Sequence, residues 1–336
     1  MNDLVPLDPI TAAWHPAGWS ADIGPGPHRV TLFGRDHVVF RDATGAPVTL
    51  PDACPHRGTS LALGAVVAGE VLCPYHGWAF DGRGRCTRIP SLGADAPIPE
   101  GAHTTSLPTV ERDGLVWVSL DPDADPARIP AFPTPESTDD RLIVGEPLEW
   151  RTSAGRHLEN ILDLAHFPFV HPGTFGCEEA QVVHPHEVTV EPGAIDCRVP
   201  VTTRNPPTPD GPLYPDLGPI IELGYHYRVE LPYRTTLEFA FPDGMRRALH
   251  EVVAPTAPDR CTIYWALLVD ARLQSTDEEE LVFARNVFAE DQPIIESQPP
   301  GVPVDRRAEV HVPADKLAVA YRRALREAGV PEGARA

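Results

Sequence analysis

Two short stretches near the N-terminus repeat one chemistry, a cysteine followed closely by proline and histidine. Residues 54–56 are CPH and residues 73–76 are CPYH, so Cys54 and His56 form one pair and Cys73 and His76 form another. Thiolates and neutral imidazoles are both metal ligands, and four of them in this order predict a metal site built by two loops. The glycines that supply tight turns around these loops are Gly58, Gly64, Gly69 and Gly77.

Three kinds of site are compatible with these four residues. A disulfide between Cys54 and Cys73 leaves the two histidines unexplained. A structural zinc ion accepts two Cys and two His, but zinc modules usually pair Cys with Cys and His with His. A [2Fe–2S] cluster with two thiolates on one iron and two imidazoles on the other explains the alternation, because each loop then gives one ligand to each iron. We favour the cluster, with Trp78 shielding it from water.

A second group of candidate ligands lies in the middle of the chain, in the sequence NILDLAHFPFVH. The segment 152–167 predicts a helix that ends near His166, because Pro168 disfavours helical geometry in the residue before it. On such a helix Asn160, Asp163 and His166 share one face.

A tightened turn after Pro168 would bring His171 toward His166. Two imidazoles and one carboxylate on one side of an iron form the facial triad of non-haem iron oxygenases, which leaves positions open for oxygen. A purely structural histidine pair is the alternative. Asn160 receives no ligand role.

Both patterns resemble those of one family. The first resembles the Rieske iron–sulfur motif, and the second, N-x2-D-x2-H-x4-H, resembles the iron motif of Rieske non-haem iron oxygenases. Neither CPHRGTS nor CPYHGW carries the extra disulfide-forming cysteine of respiratory Rieske proteins, so the chain resembles the soluble oxygenase and ferredoxin type. This resemblance covers the whole chain, and it implies that the family's third iron ligand is Asp291, with the neighbouring Glu290 as the alternative.

The resemblance also implies a fold and an organisation. The expected fold class is α+β. An N-terminal all-β Rieske [2Fe–2S] domain covers residues 1–120 and a proline-rich linker covers 121–147. A C-terminal mononuclear non-haem iron domain covers 148–336, with the antiparallel sheet of the helix-grip (START or Bet v 1-like) fold.

In the family the cluster and the iron of one chain are too far apart for fast electron transfer, so the subunits form a ring. A homotrimer is therefore expected, in which Asp163 bridges His166 of its own chain and His76 of a neighbouring subunit. The implied cofactors are a Rieske [2Fe–2S] cluster and a mononuclear Fe(II). Their electrons come ultimately from NAD(P)H through a separate ferredoxin, a ferredoxin reductase or both.

The chain is therefore expected to be the oxygenase component of a monooxygenase or demethylase, which uses O2 to hydroxylate or oxidatively demethylate a small organic molecule. Two alternatives remain open. One is a natural-product tailoring enzyme that catalyses oxidative cyclisation or desaturation. The other is a Rieske electron-transfer protein fused to a ligand-binding domain that holds no second iron.

Amino-acid composition limits the kinds of binding partner and the cellular location that we expect. The 336 residues include 28 basic and 48 acidic side chains, a formal net charge of −20, which argues against nucleic acid or an anionic membrane as the main partner. We see no signal peptide and no apolar run long enough to cross a bilayer, so a cytoplasmic, reducing location is expected. The remaining cysteines are then buried free thiols: Cys86, Cys177, Cys197 and Cys261.

The elements that must position these residues follow from hydrophobic periodicity. Short β-type runs predict an antiparallel domain up to about Leu120, and later runs predict strands at 186–199, 224–240, 247–254 and 261–269. A helix capped by Ser275 or Thr276 is expected over 275–298, with a possible kink at Pro293, and a last helix over 313–329 with Gly329 as its stop.

Substrate choice is expected to depend on the strands after His184 and on the Pro200–Pro219 stretch, which contains too many prolines for regular structure and resembles a lid or binding loop. Each aromatic candidate for the pocket is individually more common in a core. Those candidates are Phe175, Tyr225, Tyr227, Phe239 and Trp265. The acidic residues Glu278, Glu279 and Glu280 are expected on the surface.

Overall fold

The computed structural model describes residues 8–93, 96–133, 140–305 and 307–330. The chain divides into two compact units, one up to Ala131 together with Ala254–Ala257, and one formed by Phe132–Val253 and the residues from Pro258. The first unit contains no α-helix in its described part, and the second combines one large sheet with helices. The predicted α+β class is confirmed.

The described part of the first unit contains ten strands in three antiparallel sheets. The sheet orders are β1-β10-β9, β2-β3-β4 and β5-β6-β7-β8. The strands are β1 Trp14–Trp19, β2 His28–Leu32, β3 Arg35–Arg41, β4 Pro47–Pro51, β5 Ala65–Val67, β6 Glu70–Leu72, β7 Ala79–Phe80, β8 Cys86–Arg88, β9 Thr109–Arg112 and β10 Leu115–Ser119.

One apolar cluster in this unit includes both cysteines of the CPH and CPYH loops. Phe40, Leu50 and Phe80 are fully buried in it, and Cys54 and Cys73 are each 2% exposed. The cysteines therefore lie at the inner end of each loop, where packing fixes their positions.

The second unit is built on an eight-stranded antiparallel sheet of order β11-β20-β19-β18-β17-β14-β13, with β12 paired to β20. Its strands are β11 Arg141–Val144, β12 Leu148–Trp150, β13 Glu187–Glu191, β14 Ala194–Arg204, β17 Ile220–Glu230, β18 Arg234–Ala240, β19 Arg246–Ala257 and β20 Arg260–Val269. A small separate hairpin consists of β15 Pro207–Thr208 and β16 Gly211–Pro212.

Three sequence predictions about this sheet need correction. Residues 186–199 and 224–240 each contain two strands, because turns at Gly193 and around Pro232 interrupt them. The Pro200–Pro219 stretch is not wholly irregular, since β14 continues through Pro200 to Arg204 and pairs with β17 along its whole length. Part of the predicted linker, Arg141–Val144, is a strand of the sheet, and residues 134–139 lie outside the described residues.

In the described residues of this unit, four α-helices accompany the sheet: α1 Ala154–Ile161, α2 Phe167–Val170, α3 Asp277–Ile295 and α4 Lys316–Glu327. Of the two predicted caps, Ser275 and Thr276, the structure selects Thr276, which forms a capping box with Glu279, and α3 continues two residues past Pro293. No helix in the described part of the chain is long and apolar enough to cross a membrane.

The predicted single helix over 152–167 is wrong. The first helix ends at Ile161, and Pro168 stands in the first turn of α2 instead of terminating a helix. A proline lacks the N–H that the first turn of a helix leaves unpaired anyway, so it favours helix starts as well as helix ends. The resulting bend places His166 before α2 and His171 after it.

Candidate metal centres and substrate cavity

The two Cys-Pro loops have the same backbone hydrogen bonds. The N–H of Gly58 donates to the carbonyl of Cys54 at 2.8 Å, and the N–H of Gly77 donates to the carbonyl of Cys73 at 3.0 Å. Both glycines have positive φ, of 73° and 70°, which a side chain would strain. The repeated sequence therefore gives two equivalent turns that present a cysteine and a histidine each.

The side chains of these loops converge at one place. The Nδ1 atoms of His56 and His76 are 3.1 Å apart, and Trp78 stacks on the His56 ring at 4.7 Å between centroids. All six cysteines, Cys54 and Cys73 among them, are free thiols in this structure. Trp78 covers one imidazole, as the sequence predicts.

This donor set fits a [2Fe–2S] cluster of the two-Cys, two-His type. Burial, followed by the neighbouring Cys73, raises the pKa of the Cys54 thiol to about 11, so the thiol keeps its proton unless a metal displaces it. Two facing imidazole nitrogens can share at most one proton between them. Iron would satisfy both pairs at once.

In the second unit three potential ligands meet at one point, His166, His171 and Asp291. The Nε2 atoms of His166 and His171 are 3.1 Å apart. Oδ1 of Asp291 lies 3.4 Å from Nε2 of His166 and 3.3 Å from Nε2 of His171. Ligands at about 2.1 Å from one metal and at right angles are about 3.0 Å apart, so the three atoms suit one triangular face of a coordination sphere.

The local fold explains this convergence. The short helix α2 separates the two histidines, and the N–H of His171 bonds back to the carbonyl of Phe167. Asp291 comes from the last part of α3 and is 4% exposed. Two segments distant in sequence thus bring the predicted ligands His166, His171 and Asp291 together.

Electrostatics at this triangle favour a cation. Oδ1 of Asp291 is buried and makes no hydrogen bond in the described structure. Burial disfavours a charged His166, but Asp163 and Asp291 outweigh it and raise the pKa of His166 to about 9. An excess of carboxylate charge that holds a proton on imidazole equally attracts a divalent metal. The residues present fit a mononuclear iron.

Glu290, the sequence alternative to Asp291, has a different environment. Its Oε2 accepts hydrogen bonds from Nδ1 of His171 at 2.9 Å and from the Thr174 hydroxyl at 2.7 Å. Consecutive helix residues point about 100° apart, so the two carboxylates reach opposite nitrogens of one imidazole. Sequence reasoning missed this contact.

Asp163 lies at the edge of the triangle. Its Oδ1 accepts a hydrogen bond from the N–H of Ala165 at 2.7 Å and is 3.9 Å from Nδ1 of His166, too far for a hydrogen bond. The side chain is 43% exposed. Asp163 follows the end of α1, so the expected shared helix face with Asn160 and His166 does not exist.

A largely apolar cavity of about 850 Å³, including open solvent at its mouth, is bounded by the histidine–aspartate triangle. Three of the five aromatic candidates, Phe175, Tyr225 and Phe239, line it. Tyr227 and Trp265 do not line it and are fully buried in the core. A concave, largely apolar site with a few polar groups at one end is the usual form of a small-molecule site.

The cavity also contains a charged group that sequence reasoning missed. Arg247 on β19 lines the wall and is 5% exposed, and its Nε donates to Oε2 of Glu280 at 2.7 Å. The prediction of a surface Glu280 is wrong, because α3 turns this residue onto the sheet. The signal available was the run 277–280, since four successive acidic residues on a packed helix cannot all face solvent.

The fold and the two sites define an oxygenase with two iron centres, one for electrons and one beside a substrate cavity. Comparison with known proteins supports that class. Residues 13–110 match the Rieske [2Fe–2S] domain, and residues 150–330 match the vanillate O-demethylase oxygenase C-terminal domain. The chain belongs to the Rieske non-haem iron oxygenases.

Two relatives from Pseudomonas putida span most of the chain. Methylxanthine N1-demethylase NdmA is 34% identical over 324 residues, which are 94% of this chain and 88% of that protein. Methylxanthine N3-demethylase NdmB is 32% identical over 323 residues, 92% and 87% of the two chains.

Solved structures agree. NdmA of Pseudomonas putida with caffeine superimposes with a TM-score of 0.81 at 30% identity, over 94% of this chain and 90% of that one. Dicamba monooxygenase bound to dicamba has the same fold, with a TM-score of 0.78 at 22% identity over 95% and 97% of the two chains.

This membership establishes the activity class. The chain is the oxygenase component of a Rieske system, an O2-dependent oxidoreductase of the monooxygenase and demethylase type. Its cofactors are the Rieske [2Fe–2S] cluster and a mononuclear iron, and it works with a substrate, O2 and redox partners.

Proposed function

We propose that this oxygenase removes a methyl group from nitrogen or oxygen on a small aromatic molecule, releasing it as formaldehyde. The observation that carries the proposal is the apolar cavity bounded by His166, His171 and Asp291. The relatives, two methylxanthine N-demethylases and the vanillate O-demethylase domain family, support methylated aromatic substrates.

Each site residue has a proposed role. Cys54, His56, Cys73 and His76 hold the cluster, and His166, His171 and Asp291 hold the mononuclear iron. When bound, the cluster supplies electrons one at a time and the iron supplies oxygen activation.

The protein's own part in the reaction is positioning and exclusion of water. Phe175 stacks on His171 at 4.6 Å and Phe167 lies 4.8 Å from His166, so both iron-binding imidazoles have an aromatic cover on the cavity side. Tyr225 and Phe239 pack edge to face at 4.8 Å and extend the apolar wall on which an aromatic substrate would lie.

The assembly we propose is a homotrimer. Asp163 of one chain bridges its own His166 and His76 of a neighbouring subunit and thereby connects the two centres. Exposed apolar side chains close in sequence to His76 and to Asp163 support a contact between subunits at these places. Leu63 and Tyr75, in and around the cluster loops, are 71% and 64% exposed, and Phe169 on α2 is 66% exposed. We further propose a ferredoxin, a ferredoxin reductase or both as electron donor from NAD(P)H, and a cytoplasmic location.

Iron counting combined with product detection tests this assignment. We expect about three irons per chain in the wild-type protein, about one in Cys54→Ser and about two in His166→Ala. The control, His184→Ala, removes an exposed histidine and should keep all of them. A wild-type count of about two would favour the electron-transfer alternative.

Formaldehyde is then measured with NADPH, a surrogate reductase and a panel that includes caffeine, theobromine and vanillate. Oxygen-dependent formaldehyde from the wild type, lost in both site variants, is the expected result. Substrate consumption that yields a cyclised or desaturated product without formaldehyde would contradict demethylation and favour the tailoring reaction.

A further inference from the structure

Arg247 is a buried cation in the largely apolar wall of the substrate cavity, which Arg204 also lines from an exposed position. Its guanidinium lies between two rings, with Cζ 5.2 Å from the centroids of both Phe239 and Phe283. Aromatic faces on both sides hold the plane of the guanidinium in one orientation and attract its charge. The group is therefore fixed in place before any ligand arrives.

Glu280, the counter-ion of Arg247, accepts from only one of the donor atoms of the guanidinium. Nε of Arg247 donates to Oε2 of Glu280 at 2.7 Å, and the other carboxylate oxygen accepts the Ser275 hydroxyl at 2.5 Å. Glu280 is fully buried and has both of its oxygens occupied. Among the described residues, the Nη atoms of Arg247 have no hydrogen-bond partner in the protein.

A buried guanidinium has five N–H donors, and leaving most of them without partners is costly. Water in an apolar cavity is displaced when substrate enters, so the substrate must then supply the acceptors. The fork of N–H groups is matched by a planar oxygen group, a carboxylate or a carbonyl.

The guanidinium and the triangle are in contact with different parts of α3. Phe283, which packs on the guanidinium, precedes Asp291 by eight residues, about 12 Å along the helix axis. Both Arg247 and the triangle line the same cavity. One small molecule in this cavity can therefore meet the guanidinium with one end and the triangle with the other.

We propose that Arg247 is a specificity-determining residue that binds a carboxylate or carbonyl oxygen of the substrate and thereby directs the opposite end of the molecule to the His166–His171–Asp291 triangle. This inference rests on the proposed function for the identity of the reacting end. Binding of the substrate's carboxylate or carbonyl oxygen by Arg247 does not depend on which reaction follows.

Three probes of the same shape test it: 4-methoxybenzoate, 4-methoxyacetophenone and 4-isopropylanisole. They share a methoxy group and differ in whether the opposite branched group has two acceptor oxygens, one or none. Dissociation constants are measured by calorimetry on the anaerobic holoenzyme. We expect one or both of the oxygen-bearing probes to bind about 10- to 100-fold more tightly than 4-isopropylanisole, the range for a hydrogen bond to a charged group. Tighter binding of the acid than of the ketone identifies a carboxylate, and comparable binding identifies a carbonyl.

The double variant Arg247→Met/Glu280→Gln removes the guanidinium without leaving a buried carboxylate unpaired, and Arg247→Lys is a second variant that keeps the charge but not the fork. The ratio between probes should fall to about one in the double variant and be reduced in Arg247→Lys. The matched control is Arg285→Met, which lies on α3 with Glu280 and breaks an exposed ion pair with Glu146. It should keep the wild-type ratio. Since each ratio is taken within one protein, partial loss of folded material does not alter it.

Equal affinity of the wild type for all three probes, or an unchanged ratio in the double variant, would overturn the inference. Formaldehyde release is recorded separately under air. An acceptor preference that depends on Arg247, together with no formaldehyde from any probe, would leave the inference standing and count against demethylation.

Discussion

The carboxylate of Glu290 lies 2.9 Å from Nδ1 of His171, on the side of the ring opposite to Asp291. Because a carboxylate only accepts, Nδ1 must carry the proton and Nε2 is left with its lone pair toward Asp291 and His166. The tautomer that binds a metal through Nε2 is thus set by a residue outside the triangle, a common arrangement around metal-bound histidines.

Replacing Glu290 with alanine should therefore weaken iron binding without removing a ligand. We expect a 10- to 100-fold loss of affinity for Fe(II), the usual cost of losing an outer hydrogen-bond partner, and a smaller loss in Glu290→Gln, whose amide oxygen still accepts. Anaerobic Fe(II) titration of the cluster-loaded protein measures this. Glu278→Ala, an exposed change on the same helix, is the control. Wild-type affinity in Glu290→Ala would show that Nδ1 does not need this partner.

Asp163 leads to a prediction that separates electron transfer from metal binding. The Asp163 carboxylate lies 3.9 Å from Nδ1 of His166 and is a ligand of neither centre, so Asp163→Asn should keep the mononuclear iron and the cluster. If the residue connects the centres of two subunits, oxidation of the reduced cluster by O2 with substrate bound should slow about 10- to 100-fold or more, as for other outer partners of metal ligands. Stopped-flow absorbance of the cluster provides the rate.

The matched control for this measurement is Asp259→Asn, an exposed aspartate in the turn between β19 and β20. Wild-type rates of cluster oxidation in Asp163→Asn would refute the bridge. Analytical ultracentrifugation offers a second test, because a protein that is monomeric in solution and still fully active would also refute the bridge between subunits.

Comparison of sequence and structure shows which features are local. The order Cys-Pro-His and Cys-Pro-Tyr-His needs only two short loops, and their repeated glycine turns are encoded in the residues themselves, so the convergence of these four side chains was predictable. The cap of α3 was equally local, because Thr276 and Glu279 contact each other.

The features that were missed depend on tertiary pairing. Arg247 and Glu280 are 33 residues apart, and nothing in the acidic first turn of α3 distinguishes the glutamate that meets a cation from those that face water. The sequence predicts that Pro168 follows the end of a helix, although proline also suits the first turn of one, and only the packing of α2 decides between the two. Both errors arise where one residue type has two good local solutions.

The capping box of α3 predicts a stability change confined to the helix start. Thr276→Ala removes the hydroxyl that accepts the N–H of Glu279 and should lower the free energy of unfolding by about 1 kcal/mol, whereas Thr276→Ser should retain most of it. Urea unfolding followed by circular dichroism gives the difference. Asp291 lies about four turns further along, so Fe(II) affinity should stay unchanged. Equal stabilities of the alanine and serine variants would contradict the cap.

A buried network of two arginines and two glutamates predicts how stability depends on pH. Desolvation opposes ionisation of Glu309, but its hydrogen bonds to Arg156 and Arg322 outweigh this and lower its pKa to about 2. A carboxyl whose pKa is lowered by folding stabilises the protein above its unfolded pKa, about 4.5, and loses that contribution as the pH falls toward 2. Glu309→Gln should therefore be less stable than the wild type at pH 7, and the difference should shrink between pH 4.5 and pH 2.

Denaturant unfolding across that pH range measures the difference in the free energy of unfolding. The control is Glu327→Gln, which removes an exposed carboxyl paired with Arg323. Since the Glu309 side chain is 36% exposed, solvent screens part of the effect, and a difference that stayed constant down to pH 2 would place its origin in packing and not in charge.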